Sequence, residues 1–226
     1  MHPCERRKLS QKETMSTRVA IVGVGAIAEA HIAAIKYIDQ DIQIVAGVNR
    51  SQENRRNAET KYGIPATFSD ATEMVEKIQP DAIFVLVSAH NLFEVTQQLI
   101  PYKIPILMEK PPGTSARECS SLANLATNHD TPVMVGFNRR FYSIVAKAIA
   151  LCEEQGGLLG MVMEVTEFFR TLREQGRLSK WDLDHLRITN SIHCIDLIRR
   201  IAGDIKRIEA TSGAGIVEPW NHRYAA

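Results

Sequence analysis

Two glycines and the residues after them form the part of this chain whose spacing points most directly to chemistry. The run Gly23-Val-Gly25-Ala-Ile-Ala28 follows an apolar stretch, VAIVG over 19–23, and opens a helix-like segment. In such a turn the first glycine permits a tight bend, and the second lets a pyrophosphate approach N–H groups at the helix N-terminus. The turn predicts a dinucleotide site formed by Gly23, Gly25, Ala26 and Ile27. A glycine-rich turn without a ligand is the alternative.

The end of the second apolar run bears on which dinucleotide the turn accepts. Asn49 and Arg50 follow IQIVAGV over 42–48, about 20 residues past the turn, where an NAD-specific site has a carboxylate for the ribose 2′-hydroxyl. Neither residue is acidic. Asn49 can hydrogen-bond a ribose, and Arg50 can pair with a 2′-phosphate. The position therefore predicts NADP(H) in preference to NAD(H), with a solvated Arg50 as the alternative.

Three further groups of polar residues have types suited to acid–base chemistry. Glu109-Lys110-Pro111 follows IPILM over 104–108, Gly136-Phe-Asn-Arg-Arg-Phe141 follows the next apolar run, and His193-Cys-Ile-Asp196 falls on a late helix. Each also has a simpler interpretation. The first could be a solvated strand end, the second a helix cap, and the third a half-buried histidine paired with a carboxylate three residues on.

The elements that must position these residues alternate in type from Arg18 to about Gly136. Near-continuous Val/Ile runs separated by helices predict an α/β fold, a Rossmann-type doubly wound parallel sheet covered on both faces. The apolar runs are 19–23, 42–48, 82–87, 104–108 and 132–137. The predicted helices cover 27–38, 52–62, 71–78, 92–100 and 116–128.

After Gly136 the alternation changes. The pattern predicts a helix over 141–155, a strand over 159–169, a basic irregular segment over 170–187, a helix over 189–202 and a strand over 205–212. Two strands bury little apolar surface by themselves, so we expect a partial α+β domain. The predicted division is a disordered tail over 1–16, an NAD(P)-binding domain over 17–137 and a partial C-terminal domain over 138–226.

Composition excludes several classes of protein. The 226 residues include 27 basic and 26 acidic side chains, for a net charge of +1, whereas a nucleic-acid binder shows a basic excess. No apolar run approaches the roughly 20 residues that span a bilayer. Four cysteines lack metal-ligand or redox spacing, so we expect no metal site, free thiols and a cytoplasmic location.

Taken together, the GxGxxA turn and the three polar groups resemble the glucose–fructose oxidoreductase / inositol dehydrogenase (Gfo/Idh/MocA) family, over Arg18 to about Ser212. The resemblance implies an NAD(P)-dependent oxidoreductase. It would transfer a hydride between nicotinamide and a secondary alcohol or ketone of a sugar, nucleotide sugar or cyclitol. A small-molecule substrate and a homo-oligomer are implied as partners, with no nucleic acid and no membrane.

The resemblance also implies roles for individual residues. Lys110 lies between the cofactor ribose and the substrate hydroxyl, where it polarises the carbonyl or relays the proton, and Glu109 supports the nicotinamide ribose. His193 is the general acid/base on the substrate oxygen, as its near-neutral pKa suits. Asp196, one turn later, orients that histidine or the substrate. Arg139 and Arg140 line the substrate pocket, one facing the substrate and the other structural.

The chain departs from the family pattern at several positions. Many members carry an aspartate four residues before the histidine, where this chain has Thr189. Thr189 lies on the same helical face as His193, and we expect it to contact the substrate. Unlike an aspartate, it has no negative charge with which to orient the histidine. In many members Thr-Pro-Asn follows the strand that corresponds to the apolar run 82–87, and this chain has Ser88-Ala89-His90-Asn91 there. Ser88 and His90 are still expected at the cofactor. In the basic segment, Trp181 and the arginines Arg170, Arg173, Arg177 and Arg187 would suit a diphosphate-linked sugar, but a solvated loop is the favoured interpretation.

Members of the family continue for about another hundred residues, whereas this chain stops at Ala226, so we expect strands of the substrate sheet to be missing. The alternative function is accordingly a non-catalytic dinucleotide-binding and dimerisation module, or a truncated remnant of such an enzyme.

Overall fold

The computed structural model describes residues 16–38, 41–165 and 179–209, with the single positions 171, 174 and 176. These residues form two compact units. The first unit contains the described residues up to Gly136 and those within Gln175–Thr189, and the second contains those within Phe137–Glu174 and from Asn190 onward. The predicted tail lies outside the described residues except for its last position, and the predicted domain division remains a prediction.

The first unit is built on a six-stranded sheet in which every neighbouring pair is parallel. The strand order is β3-β2-β1-β4-β5-β6, so the direction of winding reverses between β1 and β4. This is the predicted doubly wound sheet. The strands are β1 Thr17–Val22, β2 Ile42–Val48, β3 Thr67–Phe68, β4 Ala82–Val85, β5 Ile106–Met108 and β6 Val133–Val135.

Five helices connect these strands, and three of them begin at a side-chain cap. The side chains of Ser51, Asp70 and Ser115 each accept a hydrogen bond from a backbone N–H in the first turn of the helix that follows, which stabilises those starts. The helices are α1 Ala26–Tyr37, α2 Gln52–Tyr62, α3 Ala71–Ile78, α4 Ala89–Leu99 and α5 Ala116–His129. The fourth begins three residues earlier than predicted, directly after Ser88, and a 3₁₀ turn follows it at Ile100–Tyr102.

The sheet is buried on both faces because side chains alternate along each strand. Ala20 and Val22 of β1 belong to one apolar cluster, which includes residues of α3, α4 and α5. Ile21, between them, belongs to a second cluster with residues of α1 and α2. The helices thus cover opposite faces, and the carboxyl ends of β1 and β4 meet at the point where the winding reverses. In such sheets ligands bind in the crevice at this point.

Two short helices from the late part of the chain also belong to the first unit: α7 Lys180–Asp184 and α8 Leu186–Thr189. The second unit contains a 3₁₀ turn at Asn138–Phe141, α6 Ser143–Glu154 and α9 Ile192–Ala202. None of the helices in the described ranges is both long and apolar enough to cross a membrane.

The two strands predicted for the second domain are not formed at the described positions 159–165 and 205–209. The rest of each predicted strand lies outside the described residues. A strand needs a neighbour that satisfies its N–H and C=O groups and covers its apolar side chains. Leu159 and Val162 are fully exposed, so apolar composition there does not produce a strand.

Candidate functional site

The turn between β1 and α1 is shaped by Gly23. Its φ is +102°, a conformation that side-chain-bearing residues rarely adopt. Its N–H donates to the carbonyl of Val48 at 2.8 Å, and a Cβ at this position would lie 2.6 Å from the backbone carbon of Leu86. The protein itself therefore requires glycine here, because the backbone that leaves β4 passes directly against the turn.

Gly25 is a different case. It precedes α1 with φ −100° and ψ −158°, which other residues adopt, and no side chain caps this helix start. A Cβ on Gly25 would meet nothing within 4 Å. The fold does not explain this glycine, whereas the first N–H groups of a helix have no intrahelical acceptor and favour an anion.

A cavity of about 410 Å³ opens at this turn, at the carboxyl ends of β1, β2 and β4. It brings together five of the residues predicted to bind the cofactor, namely Gly23, Gly25, Asn49, Arg50 and Ser88. Ala26, Ile27, His90, Glu109 and Lys110 are not among the described residues that line it.

Sequence reasoning missed several polar residues of this cavity. Ser69 and Asp70 follow the two-residue β3, and Glu94 and Gln98 come from α4. Hydrogen bonds from Thr72 and from the backbone of Glu73 hold the pKa of the Asp70 carboxyl below its ordinary value. A strand of two residues produces no apolar run in the sequence, so β3 could not be recognised from the pattern. The residues after it could have been found only by assuming the usual strand order of a doubly wound sheet, which requires a strand between α2 and α3.

The segment after β2 is tightly braced. Asn49 Oδ1 accepts hydrogen bonds from the Ser51 N–H at 2.9 Å and from Asn54 Nδ2 at 3.4 Å. Arg55 Nη1 donates to the carbonyls of Asn49 and Arg50, at 2.7 and 3.0 Å. The Arg50 side chain is exposed. With Asn49 Oδ1 occupied by two hydrogen bonds, the Asn49 amide nitrogen and the Arg50 guanidinium remain as polar groups of these two side chains, and both only donate hydrogen bonds.

Glu109 follows β5 and is held by a residue that the sequence did not suggest. His31 of α1 lies with Nε2 2.9 Å from Glu109 Oε1, and these side chains are only 22% and 16% exposed. Burial raises the pKa of Glu109, but hydrogen bonds from His31 and from the Lys110 backbone N–H outweigh it, and the pKa lies below its ordinary value. The available signal was that His31 shares the helix face of the buried Ala28, Ile32 and Ile35.

This lowered pKa gives a prediction for stability. A carboxylate with a folded-state pKa below its unfolded value stabilises the fold above an unfolded pKa of about 4.3, and this contribution is lost as the pH falls through the folded-state pKa. Glu109→Gln should therefore lower the free energy of unfolding by about 1–2 kcal/mol at pH 7, with a smaller difference in acid. Urea unfolding of both proteins from pH 7 down to about pH 3 measures this, and a difference independent of pH would contradict it.

Lys110 and Thr189 lie together in the first unit. The Lys110 Nζ donates to the backbone carbonyl of Thr189 at 2.7 Å. Thr189 is only 8% exposed, and its hydroxyl donates to the carbonyl of Asp182 at 3.4 Å. The position where many family members have an aspartate thus presents a carbonyl, not a carboxylate, to the lysine.

His90 lies beside aromatic rings of the late segment. Its ring centroid is 5.6 Å from that of Trp181, with the planes at 62°. Trp181 is in turn stacked on His185, 4.2 Å between centroids and 19° between planes. One face of the indole expected to stack on a diphosphate-linked sugar is therefore covered by His185. Of the arginines expected beside it, Arg187 is described and the other three lie outside the described residues.

The remaining predicted residues lie in the second unit. Both oxygens of the buried Asp196 accept hydrogen bonds from Arg140, one from Nε at 2.6 Å and the other from Nη2. Hydrogen bonding to Asp196 raises the pKa of the Arg140 guanidinium above its ordinary value. The ring of His193 lies edge-on to Phe137, 6.3 Å between centroids, and Arg139 Nη1 lies 3.5 Å from Cys194 Sγ. The structure thus pairs Asp196 with Arg140, and the assignment of one arginine to the substrate stays a prediction.

Comparison with known proteins identifies the family of this chain. Residues 17–137, more than half of the chain, match the Gfo/Idh/MocA model, described as an oxidoreductase family with an NAD-binding Rossmann fold. The 4-carboxy-2-hydroxymuconate-6-semialdehyde dehydrogenase of Sphingobium sp. SYK-6 is 27% identical over 203 residues, covering 87% of this chain and 62% of its own length. An inositol 2-dehydrogenase of Burkholderia ambifaria MC40-6 is 26% identical over 216 residues, covering 94% and 60%.

The fold is also shared with a solved structure, the WlbA dehydrogenase of Bordetella pertussis in complex with NADH and UDP-GlcNAcA. The TM-score is 0.74 at 18% identity, with 88% of this chain and 59% of that chain covered. This chain therefore spans less than two thirds of the length of these relatives. The motif resemblance and the predicted Rossmann-type fold are both confirmed, and the chain belongs to the Gfo/Idh/MocA family of oxidoreductases with an NAD-binding Rossmann fold.

Proposed function

We propose that this protein binds a nicotinamide dinucleotide at the β1–α1 turn and transfers a hydride between it and a CH–OH group of a sugar, nucleotide sugar or cyclitol. The observation that carries the proposal is Gly25. Its backbone conformation and its surroundings allow a side chain, yet the residue is a glycine at a helix start that lines a cavity. A pyrophosphate that approaches the backbone accounts for the missing side chain.

The residues present fit this cofactor. Backbone groups at Gly23 and Gly25 would hold the pyrophosphate, and Asn49 and Arg50 would face the adenosine ribose. Ser88, directly before α4, would lie on the nicotinamide side of the turn. When bound, the nicotinamide ring supplies or accepts the hydride.

The protein's own part in the reaction is proton transfer at the substrate oxygen. Lys110 presents an ammonium group already directed by the Thr189 carbonyl, and it would donate a hydrogen bond to that oxygen. In the oxidation direction the hydroxyl proton leaves to a base as the hydride leaves the carbon, and we assign that base to His193. Arg139 would contact the substrate, while Arg140 holds Asp196 in place.

For the cofactor we propose NADP(H) over NAD(H). Asn49 Oδ1 already accepts two hydrogen bonds, so the amide group offers its nitrogen as a donor beside the Arg50 guanidinium. A ribose hydroxyl is best bound by a group that accepts its proton, whereas a 2′-phosphate only accepts. The two donors that directly follow β2, Asn49 and Arg50, are therefore the feature that favours the 2′-phosphate.

Replacing Arg50 by alanine should therefore weaken NADPH binding by about 10–100-fold and NADH binding by less than about threefold, as expected for loss of one charge-assisted pair. Fluorescence titration of the nicotinamide measures both constants. As a control, Arg56→Ala removes an exposed arginine that lies on α2, and it should change neither binding constant. Equal losses for both dinucleotides would contradict the assignment.

The first test of the whole proposal is the same titration on the unaltered chain. Saturable binding supports the dinucleotide site, and a folded, monodisperse sample that binds neither NADH nor NADPH overturns it. Turnover is then screened with inositols, hexoses and UDP- and dTDP-sugars. Inositol is the substrate named for one relative, and a nucleotide sugar accompanies another. The nucleotide-sugar class is discarded if those sugars give no saturable turnover.

One observation favours a second candidate, a non-catalytic dinucleotide-binding module. Lys110 is held by a backbone carbonyl at Thr189, where an acidic side chain is common in the family. Such a module would bind NAD(P)H and show no turnover. For either function we propose a homo-oligomer, to be tested by light scattering. We propose a cytoplasmic location because Cys119, Cys152 and Cys194 are free thiols.

A further inference from the structure

His31 connects the helix that begins at the dinucleotide turn with the end of β5. Its ring lies edge-on to Phe84 of β4, with centroids 6.0 Å apart and planes at 75°. Its Nε2 lies 2.9 Å from Glu109 Oε1. Because a carboxylate only accepts hydrogen bonds, this nitrogen must carry the proton. The contact joins residues 78 positions apart in sequence.

The Glu109 carboxylate is fixed at both oxygens. Oε1 meets His31, and Oε2 accepts a hydrogen bond from the Lys110 backbone N–H at 3.1 Å. The Glu109 N–H itself donates to the carbonyl of Val85 at 2.9 Å. A Cβ on Gly136 would lie 3.7 Å from Oε1, so the end of β6 also borders the carboxylate. The backbone at the start of the Lys110 side chain is therefore anchored through a carboxylate that His31 holds.

The position of the Lys110 ammonium depends on this anchor. Four rotatable bonds separate its Cα from Nζ, which reaches the Thr189 carbonyl at 2.7 Å. A rotation of the peptide before Lys110 is amplified along such a side chain. A displacement of about 1 Å at a reacting group can cost about 10²-fold in rate.

We propose that His31 is a positioning residue for Lys110: by donating to Glu109 Oε1, it fixes the carboxylate that anchors the Lys110 backbone and so directs the ammonium group. This inference rests on the proposed function, in which Lys110 acts at the substrate oxygen. His31 does not itself contact substrate in this assignment.

The decisive variants are His31→Phe, which keeps a ring against Phe84 but has no donor, and His31→Gln, which keeps an N–H donor. We expect His31→Phe to lower kcat by about 30–100-fold with the NADPH Kd changed less than about threefold, because only the lysine is misplaced. His31→Gln should recover kcat to within about fivefold of the original protein, since a donor to Oε1 is restored. His129→Leu, at the end of α5, is the control for loss of a histidine and should leave both constants unchanged.

A second measurement needs no turnover. Trace labelling of the cofactor-free protein with acetic anhydride, read by mass spectrometry, reports how exposed each lysine amine is. Labelling of Lys110 should rise about fivefold in His31→Phe and less than about twofold in His31→Gln, because the hydrogen bond to Thr189 is loosened only in the first. Lys36, exposed on α1, is the internal control. If His31→Phe does not melt cooperatively, His31→Leu takes its place.

The outcomes separate the two proposals. If the unaltered protein turns over and His31→Phe matches it in both kcat and Lys110 labelling, the positioning role is wrong. If kcat of His31→Gln is as low as that of His31→Phe, the hydrogen-bond donor is not the property that matters, and the positioning role is also wrong. If the unaltered protein gives no turnover, the proposed function fails, and labelling alone decides whether His31 directs Lys110.

Discussion

Gly23→Ala is expected to destabilise the protein by about 3–5 kcal/mol, because two penalties combine: a positive φ and an overpacked contact cost roughly 1–3 kcal/mol each. The φ of +102° is one source. The other is geometric, since the added methyl would lie 2.6–2.7 Å from the Leu86 carbonyl group and the Val87 nitrogen. These are backbone atoms of the chain leaving β4, so no side-chain rotation can relieve the clash.

Gly25→Ala provides the matched comparison, since both changes add one methyl to the same turn. Here the methyl enters open space, so the free energy of unfolding should change by less than about 1 kcal/mol. NADPH and NADH binding should nevertheless fall by at least about 100-fold, because the methyl occupies the approach of the pyrophosphate. Urea unfolding and nicotinamide fluorescence measure the two effects. Unchanged dinucleotide binding in a stable Gly25→Ala protein would contradict the proposed site.

How much of the fold was predictable depends on whether its signals are local. The bounds of α2 and α3 match the predicted ranges because Ser51 and Asp70 cap them within the sequence itself. By contrast β3, only Thr67–Phe68, is too short to show an apolar run. The strands predicted over the described positions 159–165 and 205–209 are not formed, for the opposite reason. Their apolar residues suit a strand, but a strand forms only against a neighbouring strand, and local composition does not show whether one is present.

The candidate site divides along the same line. Gly23, Gly25, Asn49, Arg50 and Ser88 were predictable because each follows a strand whose carboxyl end meets the cavity. The side chains that hold the other site residues in place were not predictable, because they come from distant parts of the sequence. His31 holds Glu109, and Arg140 holds Asp196, the residue expected to orient His193 or the substrate. The periodicity of apolar residues places such a side chain on one face of its helix, but it does not identify the residue that this face contacts.

Replacing Lys110 by methionine is expected to lower kcat by about 10²–10⁴-fold, the range for losing a group that moves or holds a proton in the transition state. Methionine keeps most of the length of the side chain while removing the ammonium that now donates to Thr189. NADPH affinity should change by only several-fold, because Lys110 is not among the residues that line the cavity at the dinucleotide turn. Steady-state kinetics with the best substrate and fluorescence titration with NADPH measure the two quantities.

Lys36→Met is the matched control, since Lys36 is exposed in the last turn of α1 and its loss should leave kcat unaltered. The separation of kcat from affinity is what distinguishes the enzyme from the alternative module. A group that acts only in the transition state lowers kcat and kcat/KM equally, whereas a group that merely binds raises KM. If Lys110→Met retains turnover, the catalytic assignment is wrong. If the unaltered protein binds NADPH but turns over none of the polyols or sugars, the non-catalytic module is the better account, with the Thr189 carbonyl as the reason that Lys110 is no longer poised for chemistry.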